Sequence, residues 1–173
     1  QQDITIRHLL SNSAGMPLGP IGEKSEYDPQ SHVPDLRDYL REEARLLSDP
    51  GSGFLYSNVG FNMLELIIEE VTGHDFADYM ANKLFSPLGM RHASFAWNAD
   101  MHPFIPTGYE LDGDPVPPYV YSGTASGGLF ATVDDIARFV AAGMPGQFYS
   151  ADSVLNEAAV RRLYTPGVEI PGL

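Results

Sequence analysis

The segment VGFNMLELIIEEV, from Val59 to Val71, constrains the fold more than any other part of this sequence. Phe61, Leu64, Ile68 and Val71 recur at the spacing of one helix face, while Met63, Leu66 and Ile67 add apolar surface elsewhere on the cylinder. A helix lying on a protein surface carries one apolar stripe. One this broadly apolar is expected to be packed on most sides, as the central core helix, with Gly73 as its C-terminal stop. At 173 residues the chain is long enough to enclose such a helix in one core, and a single domain over residues 1–173 is expected.

The other periodic segments are also helical. Leu36, Leu40, Ala44 and Leu47 share a face of Asp35 to Leu47, with charged residues on the remaining faces. Asp75 is a candidate N-cap for a helix from Phe76 to Phe85 with Phe76, Met80 and Leu84 inward and Pro87 as terminator. Thr132-Val133-Asp134-Asp135 resembles a capping box, opening a helix whose Ile136, Phe139 and Val140 are expected to be buried. Short helices are expected from Thr5 to Leu10 and from after Asn156 to Tyr164, before Pro166. Two stretches rich in Gly and Pro, Ser11 to Pro34 and Asn98 to Gly128, read as long loops. Asp112-Gly113 suggests a small hairpin around Tyr109 to Val116. No set of strands suggests a central sheet, so the fold class is mainly α.

Chemistry is narrowed by what is missing. The chain has no cysteine, which excludes thiol nucleophiles, disulfides and cysteine metal sites. Ten basic side chains against 23 acidic ones give a net charge of −13, a surface that repels phosphate backbones and anionic lipid, so no nucleic-acid partner is expected. No apolar run approaches the ~18 residues that suggest a bilayer span, and no membrane insertion is expected. The opening residues Gln1-Gln2-Asp3-Ile4 carry no targeting pattern, so any signal is expected upstream. There is no Gly-x-Ser-x-Gly, Walker A loop or dinucleotide fingerprint. None of His8, His32, His74, His92 and His102 lies three or four residues from another on a helix, and neither a metal nor a cofactor is expected. The pairs Glu42-Glu43, Glu69-Glu70 and Asp134-Asp135 are explained by solvated helix faces and capping.

Tyr56-Ser57-Asn58 is more informative. It follows Pro50-Gly51-Ser52-Gly53 and directly precedes the core helix. In extended backbone a phenol and an amide two residues apart project to the same side, next to the positive end of the helix dipole, a suitable place for a proton-shuttling phenol. The same residues also admit a plain structural reading, with Tyr56 packed in the core and Asn58 capping the helix.

Four segments, in order, extend the pattern. PGSGFLYSNVGFNMLELIIEEVTG (Pro50 to Gly73) resembles the Tyr-x-Asn region of the serine β-lactamase and penicillin-binding-protein-like hydrolases: class C β-lactamases, carboxylesterase relatives and D-amino-acid peptidases. ITIRHLLSNSAGMP (Ile4 to Pro17) is similar to the segment that precedes it. FSPLGM (Phe85 to Met90) and ASGGLFATVDDIARF (Ala125 to Phe139) are similar to those that follow.

The resemblance implies the helical domain of that fold, and acyl transfer through a serine in a Ser-x-x-Lys motif acting on a β-lactam, an ester or a D-amino-acid peptide. It implies catalytic roles for Tyr56, as general base and acid, and for Asn58, as the group that orients the lysine and the substrate amide. No serine here is followed at the third position by lysine; the lysines are Lys24 and Lys83, and no Lys-Thr-Gly or His-Thr-Gly occurs. In the family these elements lie upstream of the Ile4 segment and downstream of the last helix. The chain is therefore expected to be a helical part cut at both ends, lacking the partner α/β sheet domain, inert alone and prone to self-associate. An ordinary tyrosine has a pKa near 10, so about one in a thousand is ionised at neutral pH without neighbouring cations. The resemblance also implies export, to the periplasm, the medium or a membrane anchor. The competing expectation is a non-catalytic helical binding module that kept the scaffold. The Ser11 to Gly15 and Ser122 to Gly128 loops are expected to line the cleft.

Overall fold

The computed structural model of the chain describes residues 3–21, 26–144 and 153–170, without the side chains of residues 99, 100 and 102. Lys24 and the His102 side chain therefore lie outside the described residues. The elements run α1 (Ile6–Leu10), α2 (Leu36–Glu43), α3 (Asn58–Thr72), α4 (Phe76–Met80), a π-helical turn (Ala81–Phe85), α5 (Ser86–Leu88), a 3₁₀ segment (Ala99–Phe104), β1 (Gly108–Tyr109), β2 (Pro115–Val116), α6 (Val133–Ala142) and α7 (Glu157–Leu163). Among the described residues the one sheet is the antiparallel β1–β2 pair, with Gly108 opposite Val116 and Tyr109 opposite Pro115. Its turn is closed by Gly113, at φ 94°, whose N–H donates to the Glu110 carbonyl. Among the described residues the regular structure is helical apart from this hairpin.

α1, α2 and α4 pack round α3. Leu9, Ala14, Met16, Leu36, Leu40 and the fully buried Val59 form the core, backed by Tyr39, Met63, Leu64, Leu66 and Ile67. A second, aromatic cluster joins Phe76 and Phe85 to Phe95, with ring centroids 4.8 and 5.8 Å apart. Helix starts follow the expected chemistry. Thr5, Asp35, Asp75, Thr132 and Asn156 each accept a backbone N–H in the first turn of their helix, and Gly73 ends α3 in the left-handed region at φ 69°.

Several expectations need correction. α2 stops at Glu43, leaving Leu47 58% exposed, because Leu47 N–H donates instead to Gly15 O at 2.7 Å and Gly51 N–H to Ser13 O at 2.7 Å. The last four residues of the expected helix, 44–47, leave it, and the chain from Leu47 to Gly51 bonds to the Ser13–Gly15 backbone instead. Pro87 does not terminate its helix. It sits in the first turn of α5, where no intrahelical donor is required, directly after the wider π turn, and Gly89 at φ 72° makes the actual stop. On α6, Ile136 and Val140 are exposed and Phe139 is half-buried; the buried residue is Asp135. Burial alone would raise its pKa, but hydrogen bonds from Thr132 and the His92 N–H, with the nearby His92 ring, hold the carboxyl below the ordinary range. Asp135 therefore tethers the Arg91–His92 turn rather than facing solvent. Likewise Glu69 accepts from Phe76 N–H at 3.1 Å, Glu70 pairs with Arg37, and Val71 is exposed. α3 is half-covered round most of its girth. Its innermost side runs through Val59, Asn62 and Glu65.

Candidate functional site

The site begins with a segment laid on another. Gly51, at φ 80°, turns the chain after Pro50. From there Leu55 N–H donates to Asn12 O at 2.7 Å and Asn58 N–H to Leu18 O at 3.2 Å. Between them Ser57, 2% exposed, is fixed three ways. Its N–H donates to Asn12 Oδ1 at 3.0 Å, its hydroxyl donates to Pro17 O at 2.7 Å, and the same oxygen accepts from Gly60 N–H at 2.8 Å as the N-cap of α3. Asn12 takes a left-handed φ of 51° to reach it. Thus Ser57, not Asn58, is the cap, and Asn58 is the first helical residue.

With Ser57 extended at φ −146° and turned inward, Tyr56 and Asn58 point outward on the same side, and both line one cleft of about 270 Å³. Tyr56 is 53% exposed, so the core-packing reading does not hold. The same cleft is lined by Pro20, Ile21, Glu26, Tyr27 and Tyr39, by Asn62 one turn further along α3, and by Tyr121, Ser122, Gly123, Ser126 and Gly127 of a second loop. Tyr27 is bridged to Val120 by reciprocal backbone bonds of 2.9 and 2.8 Å, which ties two otherwise separate loops together across the cleft. The Ser122 to Gly128 loop thus lines the cleft as expected. The Ser11 to Gly15 loop does not: Ser13 and Ala14 are buried behind it, and Gly15, at φ 74°, passes so close to Ser48 O that a Cβ would sit 2.2 Å away.

Electrostatically the described lining is sparse. Glu26 is its charged side chain, and no lysine or arginine is among the described lining residues. Burial pushes the Tyr121 phenol up to about 12, helped by its hydrogen bond with Tyr119, and burial also raises Tyr39 against a hydrogen bond from Asn62. Both stay neutral phenols at physiological pH. Ser122 Oγ is buried without a hydrogen-bond partner. No group of three or more His, Asp or Glu among the described residues could hold a metal, and no described helix is long and apolar enough to cross a membrane.

Sequence reasoning missed the pair on α3 that holds this second loop, one of which, Asn62, also lines the cleft. Asn62 and Glu65, 3% and 5% exposed, face inward from α3 one turn apart. Glu65 accepts from Ala125 N–H at 2.7 Å and Thr124 Oγ1 at 3.2 Å, and Asn62 Oδ1 accepts from Ser126 N–H at 3.2 Å. A signal was present: a carboxylate in the middle of the most apolar helix is buried only if something donates to it.

Three kinds of similarity accompany this geometry. Residues 1–169 match the family model described as Beta-lactamase. The protein flp of Staphylococcus aureus (strain MRSA252) is 31% identical over 144 residues, 80% of this chain and 28% of that protein. Among solved structures, the octameric penicillin-binding protein homologue from Pyrococcus abyssi superposes with a TM-score of 0.72 at 24% identity, covering 98% of this chain and 40% of the other. The D-alanine carboxypeptidase AmpC from Burkholderia cenocepacia does so at 0.66 and 26%, covering 92% and 41%. The chain spans well under half the length of each of these relatives.

Proposed function

The chain belongs to the Beta-lactamase family, and from that premise we propose that it is the helical, cleft-bearing part of a serine acyl-transfer hydrolase whose nucleophile lies outside these 173 residues. The observation that carries this reading is the placing of Tyr56 and Asn58 on one side of a rigidly held Ser57, both in the same cleft. Tyr56 is the proton carrier. It takes the proton of the attacking serine hydroxyl as the acyl bond forms and returns it to the leaving group, and Asn58 offers its amide to the substrate and to a lysine. A phenol does this at neutral pH only beside positive charge, and in this reading the lysine of a Ser-x-x-Lys outside these residues supplies it, with a sheet completing the site. The short coverage of the relatives and the absence of Ser-x-x-Lys support the same division. The substrate class is an activated acyl compound: a β-lactam, an ester or a D-amino-acid peptide.

Covalent labelling tests the division. A fluorophosphonate or a reporter β-lactam should leave the 173-residue chain unmodified and label the longer polypeptide at the serine of its Ser-x-x-Lys. Labelling of this chain would mean that another residue within it acts as nucleophile and would overturn the division, whereas a longer polypeptide with no such serine would favour the scaffold-only binding module.

A further inference from the structure

Resting on that reading, we infer that Glu65 and Asn62 are positioning residues: a clamp on α3 that holds the Thr124 to Ser126 turn, and through it the Ser122, Gly123, Ser126 and Gly127 part of the cleft that Tyr56 and Asn58 share. The turn has little else to fix it. Thr124 to Ser126 belong to neither helix nor strand, and their turn is closed by bonds from Gly127 and Gly128 N–H to Thr124 O at 3.2 and 2.7 Å, all internal to the loop. What ties the turn to the helix bearing Asn58 is the row of three donors, Thr124 Oγ1, Ala125 N–H and Ser126 N–H, on two acceptor side chains one helical turn apart. The fit is close. A Cβ on Gly123 would lie 2.4 Å from Asn62 Cγ, so the loop backbone rests directly on the clamp.

Burying a carboxylate against an apolar helix is unfavourable unless its oxygens are occupied, and here they are occupied by the loop itself. If the loop moves away, Glu65 loses its donors. The loop position and the carboxylate's solvation are thus one equilibrium, and substrate held in the cleft depends on it. Neither clamp residue is assigned a chemical step. Their effect is on where Ser126 and Gly127 stand relative to Tyr56.

The test has two arms. Amide hydrogen exchange, residue by residue, is measured on the 173-residue chain for wild type, Glu65→Gln and Asn62→Ala; steady-state kinetics are measured on the same variants of the longer polypeptide. Glu65→Gln keeps the shape but turns one acceptor into a donor. It should accelerate exchange at Ala125, whose N–H donates to Glu65, by about tenfold or more above pH 7, where the carboxyl it replaces is ionised, and leave Leu64 to Ile68 unchanged. KM should rise by a similar factor while kcat changes less than about threefold. Asn62→Ala should accelerate exchange at Ser126, whose N–H donates to Asn62, and Gly123→Ala, which presses on Asn62 from the loop side, should do the same. Equal acceleration along α3 and the loop would reduce Glu65 to a general stability role, and unchanged exchange at Ala125 and Ser126 would remove the clamp outright. A wild-type longer polypeptide without turnover would sink the hydrolase reading alone, with the exchange arm still deciding the clamp.

Discussion

Glu65 carries the sharpest residue-level consequence, because its carboxyl is pushed up to about 7, chiefly by burial, with the Ala125 and Thr124 hydrogen bonds opposing and Glu69 adding to the rise. Its value when exposed is 4.5. The folded chain therefore holds this proton more tightly than the unfolded chain. The stabilisation is complete below pH 4.5 and is lost as pH rises through about 7, on the order of 3 kcal/mol across the window. Asp135 works the other way but only below the ordinary carboxylate range, so the two do not overlap. Thermal melts from pH 7.5 down to about 5 should show wild type gaining stability relative to Glu65→Gln, the histidines being common to both. Parallel curves would contradict the burial argument. Ser57 is the other residue whose removal is costly: Ser57→Ala should lose about 1–3 kcal/mol in denaturant unfolding, since it removes a cap and leaves Pro17 O without its donor. The sequence reading placed the cap one residue late, at Asn58. The tripeptide offers two good capping side chains, and contact with Asn12 and Pro17, some 40 residues away, chooses between them.

At the scale of elements, helix starts were legible and helix ends and faces less so. A start is decided locally, by one side chain reaching a first-turn N–H, which is why Asp75 and Thr132 were readable as caps and the starts at Thr5, Asp35 and Asn156 were placed to within a residue. The end of α2 was decided by Gly15, whose carbonyl takes the Leu47 N–H; no local pattern contains that bond. The face of α6 was misread for a related reason. Apolar spacing named Ile136 and Val140, but the buried position went to Asp135, which has donors from Thr132 and His92 to satisfy it. The correction is testable. Ile136→Ser and Val140→Ser should each change the stability of the chain by no more than about 0.5 kcal/mol, whereas Leu40→Ala, at 4% exposure on α2, should cost about 2–5 kcal/mol. A large loss from either α6 variant would restore the original reading of that helix.

For the whole molecule, the exposed apolar side chains are the feature that the family premise makes sense of. Ile6, Leu10, Val133, Val140, Leu163 and Tyr164 are each more than half exposed. In the proposed reading, sequence outside these residues is expected to cover part of this surface. Sedimentation over a tenfold concentration range near 0.1 mM is expected to show reversible association, since charge repulsion is screened beyond about 8–10 Å at physiological salt and apolar burial is not. A strict monomer would mean that the chain is self-sufficient. The site was legible at this scale because Tyr56 and Asn58 sit in a motif, two residues apart, whereas the second loop of the cleft is held by side chains about 60 residues away in sequence and could not be read from either end. What the cleft is for is decided most directly by the single-turnover acylation rate of the longer polypeptide carrying Tyr56→Phe, which removes one oxygen and nothing of the fold. Loss of the proton carrier should slow acylation by about 10²- to 10⁴-fold with substrate affinity little changed; an unchanged rate would return Tyr56 to the surface as an ordinary exposed phenol and contradict the account.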